Sequence, residues 1–273
     1  MTDPRRRAIL VTSFGTSFNE NRARTIDVIE SRIAANHPDW ECRRAFTSRM
    51  IIRKLRERDG MEIDFITDAL ARLADEGFDT VVVQPTYIMN GIEYELVEDA
   101  VGEYRDRFAH ISLGTPLLTE DSDYDDAVSA IEADIIPAAA EVAGEGAAVV
   151  MMGHGTEHHA NAAYCQLQLK LMAAGHRNVF MTTVEGFPTF EDTADIMEGL
   201  GFSDVVLLPF MLVAGDHANN DMAGDEEDSL RSYMESRGYR VHCIVKGLGE
   251  FPAFEDLFGV HADRAIAELG GPE

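Results

Sequence analysis

The sequence predicts an α/β protein built from two similar flavodoxin- or Rossmann-like lobes with parallel sheets, and two observations carry that prediction. Short β-branched runs alternate with helix-period segments along the whole chain, the pattern of parallel βα units. The halves also repeat one another. Gly77-Phe78-Asp79 before Val81-Val82-Val83-Gln84-Pro85 matches Gly201-Phe202-Ser203 before Val205-Val206-Leu207-Leu208-Pro209 at an offset of 124, which also carries Gly91 onto Gly215 and Glu93 onto His217. The opening strands match too, with Phe14-Gly15-Thr16 against His154-Gly155-Thr156. Two such lobes facing each other leave an active-site cleft between the carboxyl ends of their sheets.

Taken in order, apolar runs such as Ile9-Leu10-Val11 predict strands over residues 8–14, 41–46, 80–84 and 111–113 in the first half. Runs such as Val149-Val150-Met151 predict strands over 147–152, 179–184, 204–208 and 240–245 in the second. Helices fit between them over 21–35, 63–76, 94–107, 162–173 and 190–200. A helix over 124–142 running into Gly144-Glu145-Gly146 marks the division of the halves near residues 120–145. The expected domains are 1–122, an N-terminal lobe, and 123–273, a C-terminal lobe, with the last helix packing back on the first lobe.

Composition narrows the function. A chain of 273 residues with 45% apolar content buries a sizeable core. Its net charge of −26 excludes nucleic acid, whose phosphates demand a basic surface. Residues 1–58 nevertheless hold 13 Lys and Arg against 7 Asp and Glu, while the remainder holds 10 against 42. A locally basic stretch on an acidic protein suits a small polyanionic ligand; the plainer reading of Arg43 to Arg58 is solvated surface charge. Cys42, Cys165 and Cys243 are too scattered for a disulfide framework or a zinc module. The apolar run after Arg5-Arg6-Arg7 breaks at Thr12-Ser13, and no run of about 18 apolar residues exists, so no membrane span is expected. The expected location is cytoplasmic, with an exported form processed from a longer precursor as the alternative.

In doubly wound sheets ligands bind beyond the carboxyl ends of the strands. There the second half is unusually polar: Gly153-His154-Gly155-Thr156-Glu157-His158-His159, Glu185-Gly186, and Gly215-Asp216-His217-Ala218-Asn219-Asn220-Asp221. If the three strands are neighbours, His154, Glu185 and His217 converge, and two imidazoles with a carboxylate suit cobalt, nickel, iron or zinc. The small residues around His154 and His217 suggest room for close approach. His158 and His159 read better as capping residues, and Glu185 is equally readable as a cap of the next helix. His37, His110, His176, His242 and His261 lack such a context. Gly247-Leu248-Gly249 lacks the third glycine of a dinucleotide fingerprint because Pro252 stands there, and no P-loop, nucleophile elbow or zincin motif occurs.

Five motifs stand out along the chain: Val11-Thr12-Ser13-Phe14-Gly15-Thr16-Ser17; Pro85-Thr86-Tyr87 with Gly91-Ile92-Glu93-Tyr94-Glu95; Met152-Gly153-His154-Gly155-Thr156; Val184-Glu185-Gly186-Phe187-Pro188; and the run from Pro209 to Asp221. Together they resemble the anaerobic sirohydrochlorin cobaltochelatase family of cobalamin biosynthesis. The resemblance covers nearly the whole chain and implies a class II chelatase with a ferrochelatase-like fold. It implies that His154 and His217 bind metal and accept pyrrole protons, that Glu185 joins the metal site, and that Glu93 faces the tetrapyrrole. The implied reaction inserts Co2+, with Fe2+ or Ni2+ as other candidates, and uses no organic cofactor. Sirohaem formation with iron and a non-catalytic tetrapyrrole or metal carrier are the rival readings.

The chemistry of metallation gives the remaining residues their expected roles. Neutral imidazole can hold an incoming ion and then take a proton near neutral pH. Ser48 and Arg49, just past the second strand, are expected to meet the substrate's peripheral carboxylates. Phe14, Tyr87, Met89, Phe187 and Met211 are expected to line the macrocycle, although each alone reads more often as simple core. The expected partner is a sirohydrochlorin-type tetrapyrrole, with a homo-oligomer as an option.

Overall fold

Apolar runs covered on both faces become parallel strands, because only βα crossovers bury such runs completely. In the computed structural model, which describes residues 6–269, this produces two wholly parallel sheets. The first contains β1 (Arg7–Ser13), β2 (Glu41–Phe46), β3 (Asp64–Phe65), β4 (Thr80–Pro85) and β5 (His110–Leu113), in the order β3-β2-β1-β4-β5. The second contains β6 (Ala148–Gly153), β7 (Val179–Thr183), β8 (Asp204–Pro209) and β9 (Arg240–Cys243), in the order β7-β6-β8-β9. With the short β3 set aside, the two orders are the same, so the repeat in the sequence is a repeat of topology.

Contacts divide the chain into two compact units, one reaching to Thr119 and resuming at Glu255, the other Glu120–Phe254. The last helix, Pro252–Glu268, therefore begins in the second unit and continues in the first. Within the first unit Arg32 pairs with Glu255 and Asp256, His37 Nε2 lies 2.7 Å from Asp263, and the buried His261 meets Thr115 at 2.8 Å. In the second unit Val150, Met152, Val205, Leu207, Met197 and Met234 form the core, each burial worth roughly 1.5–3 kcal/mol. Among the described residues no helix is long and apolar enough to cross a membrane.

Several helices depart from the sequence reading for identifiable reasons. The expected helix over 21–35 is two, Asn19–Arg24 and Ile26–Asn36, broken at Thr25, whose ψ of −83° leaves the helical well. The helix over 124–142 contains a π-helical turn, Ile131–Ile135, followed by Ile136–Ala143. Pro137 lacks the N–H that would continue the regular ladder there. The helix expected over 63–76 starts at Ile66, because Asp64–Phe65 pairs with Ala45 and Phe46 as β3. Thr189, not Glu185, caps the helix Phe190–Met197, in a capping box with Asp192.

Candidate active site

The second unit levels three strand ends. Gly153 pairs with Thr183 and Met152 with Pro209, so β6, β7 and β8 finish together with β6 between the others. The ladder then continues into the loops: Glu185 N donates to the His154 carbonyl at 2.8 Å and Phe210 N to the Met152 carbonyl at 2.7 Å. His154 and Glu185 are thus fixed as neighbours by backbone pairing. Asn161 ties the loops further, accepting from Thr156 N at 3.1 Å and donating to the Phe187 carbonyl at 2.7 Å.

The glycines beside His154 do permit a close approach, and what approaches them is the Tyr164 ring and the Glu185-Gly186 loop. A Cβ at Gly153 would sit 2.3 Å from the Tyr164 ring. One at Gly155, whose φ is +80°, would sit 2.6 Å from Gly186 N. Tyr164 is itself buried, and burial pushes its phenol up to about 12. Gly215 is different, with nothing within 4 Å of the added carbon.

His217 leads into a second π-helical turn, Ala218–Met222, a feature that recurs at functional sites. Asn219 donates to the Gly215 carbonyl at 2.6 Å and Asn220 to Asp216 at 2.9 Å, holding the turn's approach. The His154 and His217 rings meet edge to face, with centroids 4.6 Å apart and planes at 83°. Their proton positions follow from their partners. His154 Nδ1 lies 2.9 Å from the Gly155 carbonyl and His217 Nδ1 lies 2.8 Å from Asp221 Oδ2. Both partners only accept, so each Nδ1 carries a proton, and in the neutral form of either ring Nε2 keeps its lone pair.

Glu185 Oε2 lies 3.8 Å from His154 Nδ1, the protonated side of the ring. The three residues are therefore neighbours whose donor atoms do not yet aim at one point. Among the described residues no group of three His, Cys, Asp or Glu side chains is arranged to hold a metal ion. His158 caps the short turn His159–Asn161 by accepting from Ala160 N at 3.2 Å, as its capping reading expects. His176 and His242 meet Glu132 and Asp204 at 2.6 and 3.1 Å, away from this cluster.

In the first unit β1, β2 and β4 end level as well, with Ser13 opposite Phe46 and Thr12 opposite Pro85. Thr47 donates to Glu93 Oε2 at 2.7 Å, so the Tyr87 hydroxyl, 2.9 Å away, must donate to Thr47. Burial pushes the Tyr87 phenol well above its usual range and keeps it a donor. Ser13 and Thr86 share a buried hydroxyl contact of 2.8 Å beside them. Phe14 is 44% exposed, and in the second unit Phe187 is 54% exposed, unusual for rings of that size. Met89 and Met211 are half-buried, Met89 in a single bridge with Leu118.

Ser48 is buried and caps the helix Arg49–Asp59 by accepting from Ile51 N at 3.4 Å. Arg49 is exposed on the first turn of that helix, its guanidinium 3.7 Å from the Phe65 ring centre. A cation there opposes the helix dipole, a cost that an anionic ligand would offset. The rest of the basic stretch is largely neutralised by the fold. Arg43 pairs with Glu41 and Glu76, Arg44 with Asp27 and Glu30, Arg56 with Glu62, and Arg58 with Asp59. Among the described residues Arg49, Arg53 and Lys54 have no carboxylate partner, so the patch contracts to one helix face.

Asp221, Asn161 and Thr47 are the residues that sequence reasoning missed. The four-residue spacing of His217 and Asp221 could have revealed the first. Nothing in the sequence singles out the other two, which bridge separate loops.

Comparison with known proteins adds an independent line. The family model for cobalt chelatase (CbiK) matches residues 7–267. The chain is 40% identical over 261 residues to the sirohydrochlorin cobaltochelatase of Salmonella typhimurium, covering 96% of this chain and 97% of that one. It is 31% identical over 266 residues to the sirohydrochlorin cobaltochelatase CbiKC of Nitratidesulfovibrio vulgaris, covering 97% and 92%. Among solved structures, SirB from Bacillus subtilis with Fe3+ matches with a TM-score of 0.66 at 14% identity, covering 97% of this chain and 98% of that one. SirB in complex with cobalt matches at 0.63 and 13%, covering 97% of each chain. At these identities the structural matches speak to the fold alone.

Proposed function

Because the chain belongs to the cobalt chelatase (CbiK) family, we propose that it is a sirohydrochlorin cobaltochelatase, a lyase inserting Co2+ into the tetrapyrrole for cobalamin biosynthesis. The observation that carries the reading is the pair of imidazoles, 4.6 Å apart, each with Nδ1 engaged and Nε2 uncommitted. Metallation strips water from the ion and removes two pyrrole N–H protons. Neutral imidazole suits both tasks, as a borderline ligand for Co2+ and as a base near neutral pH. A carrier that released its ligand unchanged would need no such pair of bases.

His154 and His217 are the proposed metal ligands and proton acceptors. Glu185 is the proposed third donor, its exposed side chain rotating from the Nδ1 side of His154. Glu93, held by Thr47, is the proposed acidic group toward the tetrapyrrole. Phe14, Tyr87, Met89 and Phe187 are proposed to contact the macrocycle, the two exposed phenylalanines gaining most from cover. Arg49 is proposed to bind a peripheral carboxylate, with Ser48 assisting by fixing the helix start that presents it. Fe2+ and Ni2+ accept the same ligands and are proposed as slower substrates. A cytoplasmic location is proposed, consistent with three free cysteines.

The test is spectrophotometric metallation of sirohydrochlorin by the purified protein with Co2+, Fe2+ and Ni2+ in turn. Catalysed insertion fastest with Co2+ supports the reading. Faster turnover with Fe2+ would make the protein a ferrochelatase for sirohaem, and tight binding without metallation would make it a carrier.

A further inference from the structure

The two histidines differ in what stands behind them. His154 Nδ1 donates to a neutral backbone carbonyl of its own loop, at 2.9 Å from Gly155 O. His217 Nδ1 donates to a carboxylate, at 2.8 Å from Asp221 Oδ2. His217 and Asp221 are four residues apart, the spacing at which helical side chains face each other, and the chain between them is the π-helical turn Ala218–Met222. Asn219 and Asn220 are turned back onto Gly215 and Asp216, so they do not compete for the imidazole. Met222, next in the chain, is fully buried and anchors the turn in the core.

We propose that Asp221 is a positioning residue for metallation, holding the proton on His217 Nδ1 and the ring in place so that Nε2 always presents its lone pair. An imidazole without such a partner exchanges between two tautomers and two ring orientations, and only one combination offers an unprotonated Nε2 to the ion or the pyrrole proton. A carboxylate accepts only, so it selects that combination, and a charge-assisted hydrogen bond is about twice as strong as a neutral one. Carboxylates behind metal-binding histidines have this effect generally, and their loss typically costs about 10- to 100-fold in affinity or activity. Among the described residues Asp221 pairs with His217 alone, and its side chain is 43% exposed, so nothing in the core depends on it. The inference rests on His217 acting in the reaction, and its test separates the two claims.

The first measurement is the ring 15N spectrum of His217 in the metal-free protein, which reads the tautomer directly and needs no turnover. The wild type is expected to hold the Nδ1–H form, and Asp221→Ala to shift most of the population to the Nε2–H form. An unchanged tautomer in Asp221→Ala overturns the proposal. The second is cobalt metallation by Asp221→Ala, Asp221→Asn and Asp221→Glu, with circular dichroism confirming that each folds. Asp221→Ala is expected to lower kcat about 10- to 100-fold while KM for sirohydrochlorin changes less than about twofold, because the ring, not the substrate, has lost its partner. Asp221→Asn is expected to lose as much, since its amide can donate to Nδ1 and select the wrong tautomer, and Asp221→Glu to recover part of the activity. In a His217→Ala background Asp221→Ala should add nothing. Additive losses would mean that Asp221 acts elsewhere and would overturn the proposal. Full activity of His217→Ala with the tautomer shift intact would instead sink the role of His217.

Discussion

Replacing Gly155 by alanine tests how the two loops of the second unit hold His154. Its φ of +80° lies in the left-handed region, where an L side chain costs about 1–2 kcal/mol. The added carbon would also lie 2.6 Å from Gly186 N and 2.9 Å from both the Glu185 carbonyl carbon and Thr183 Cβ. Two of these three atoms are backbone, so relief requires moving the Glu185 loop, and overpacking of that kind adds about 1–3 kcal/mol. The expected loss in urea unfolding followed by circular dichroism is therefore roughly 2–5 kcal/mol. The loop cannot move without disturbing the bond from Glu185 N to the His154 carbonyl, so cobalt metallation should fall with stability, by about 100-fold for a misplacement near 1 Å. Gly215→Ala is the control: nothing lies within 4 Å of its added carbon, and its stability should change by less than about 0.5 kcal/mol. A Gly155→Ala protein within about 1 kcal/mol of the wild type and fully active would refute the close approach of the two loops.

Arg49→Ala is expected to raise KM for sirohydrochlorin more than it lowers kcat, and to weaken the salt dependence of binding; unchanged kinetics would return Arg49 to ordinary surface charge. Arg44→Ala should behave oppositely, losing about 1–3 kcal/mol of stability because Glu30, whose carboxyl burial already pushes up, loses its partner, with kinetics unaltered. For Asp204 the Arg240 guanidinium, and then His242, hold the carboxyl down to about 2 from an ordinary 3.8. A depressed carboxylate stabilises the fold above the ordinary value and loses that contribution as pH falls through the depressed one. Asp204→Asn should therefore flatten the acid limb of the stability profile between pH 3.8 and about 2, and an unaltered limb would show the ion pairs to be too solvated to matter.

The strands were legible because a parallel sheet covered on both faces leaves an uninterrupted apolar run, as in Ile9-Leu10-Val11 and Val149-Val150-Met151. The repeated Gly-Phe preceding β4 and β8 made the duplication readable, and the usual strand order of a flavodoxin-like sheet was enough to bring the ends of β6, β7 and β8 together. What depended on contacts between distant segments was not legible. The carboxylates that neutralise Arg43 and Arg56 come from Glu76 and Glu62, on other elements, so a surplus counted along the chain overstates the patch in space. Gly153 and Gly155 look alike whether a ligand or a neighbouring loop comes close, and only the Tyr164 ring and Gly186 decide between them. The π-helical turns were not legible either, because one wider turn is too short to alter the apolar periodicity of the segment around it.

The measurement that bears most directly on the central claim is steady-state cobalt metallation of sirohydrochlorin by His154→Ala and His217→Ala beside the wild type, with circular dichroism on all three. Both rings are partly exposed at strand ends, so both variants should fold. The expected result is a loss of kcat of at least about 100-fold in each, the range for removing a positioned base, with sirohydrochlorin binding retained. Near-wild-type turnover by either variant at saturating Co2+ would contradict the account, because the paired imidazoles would then not be where metal and proton are exchanged.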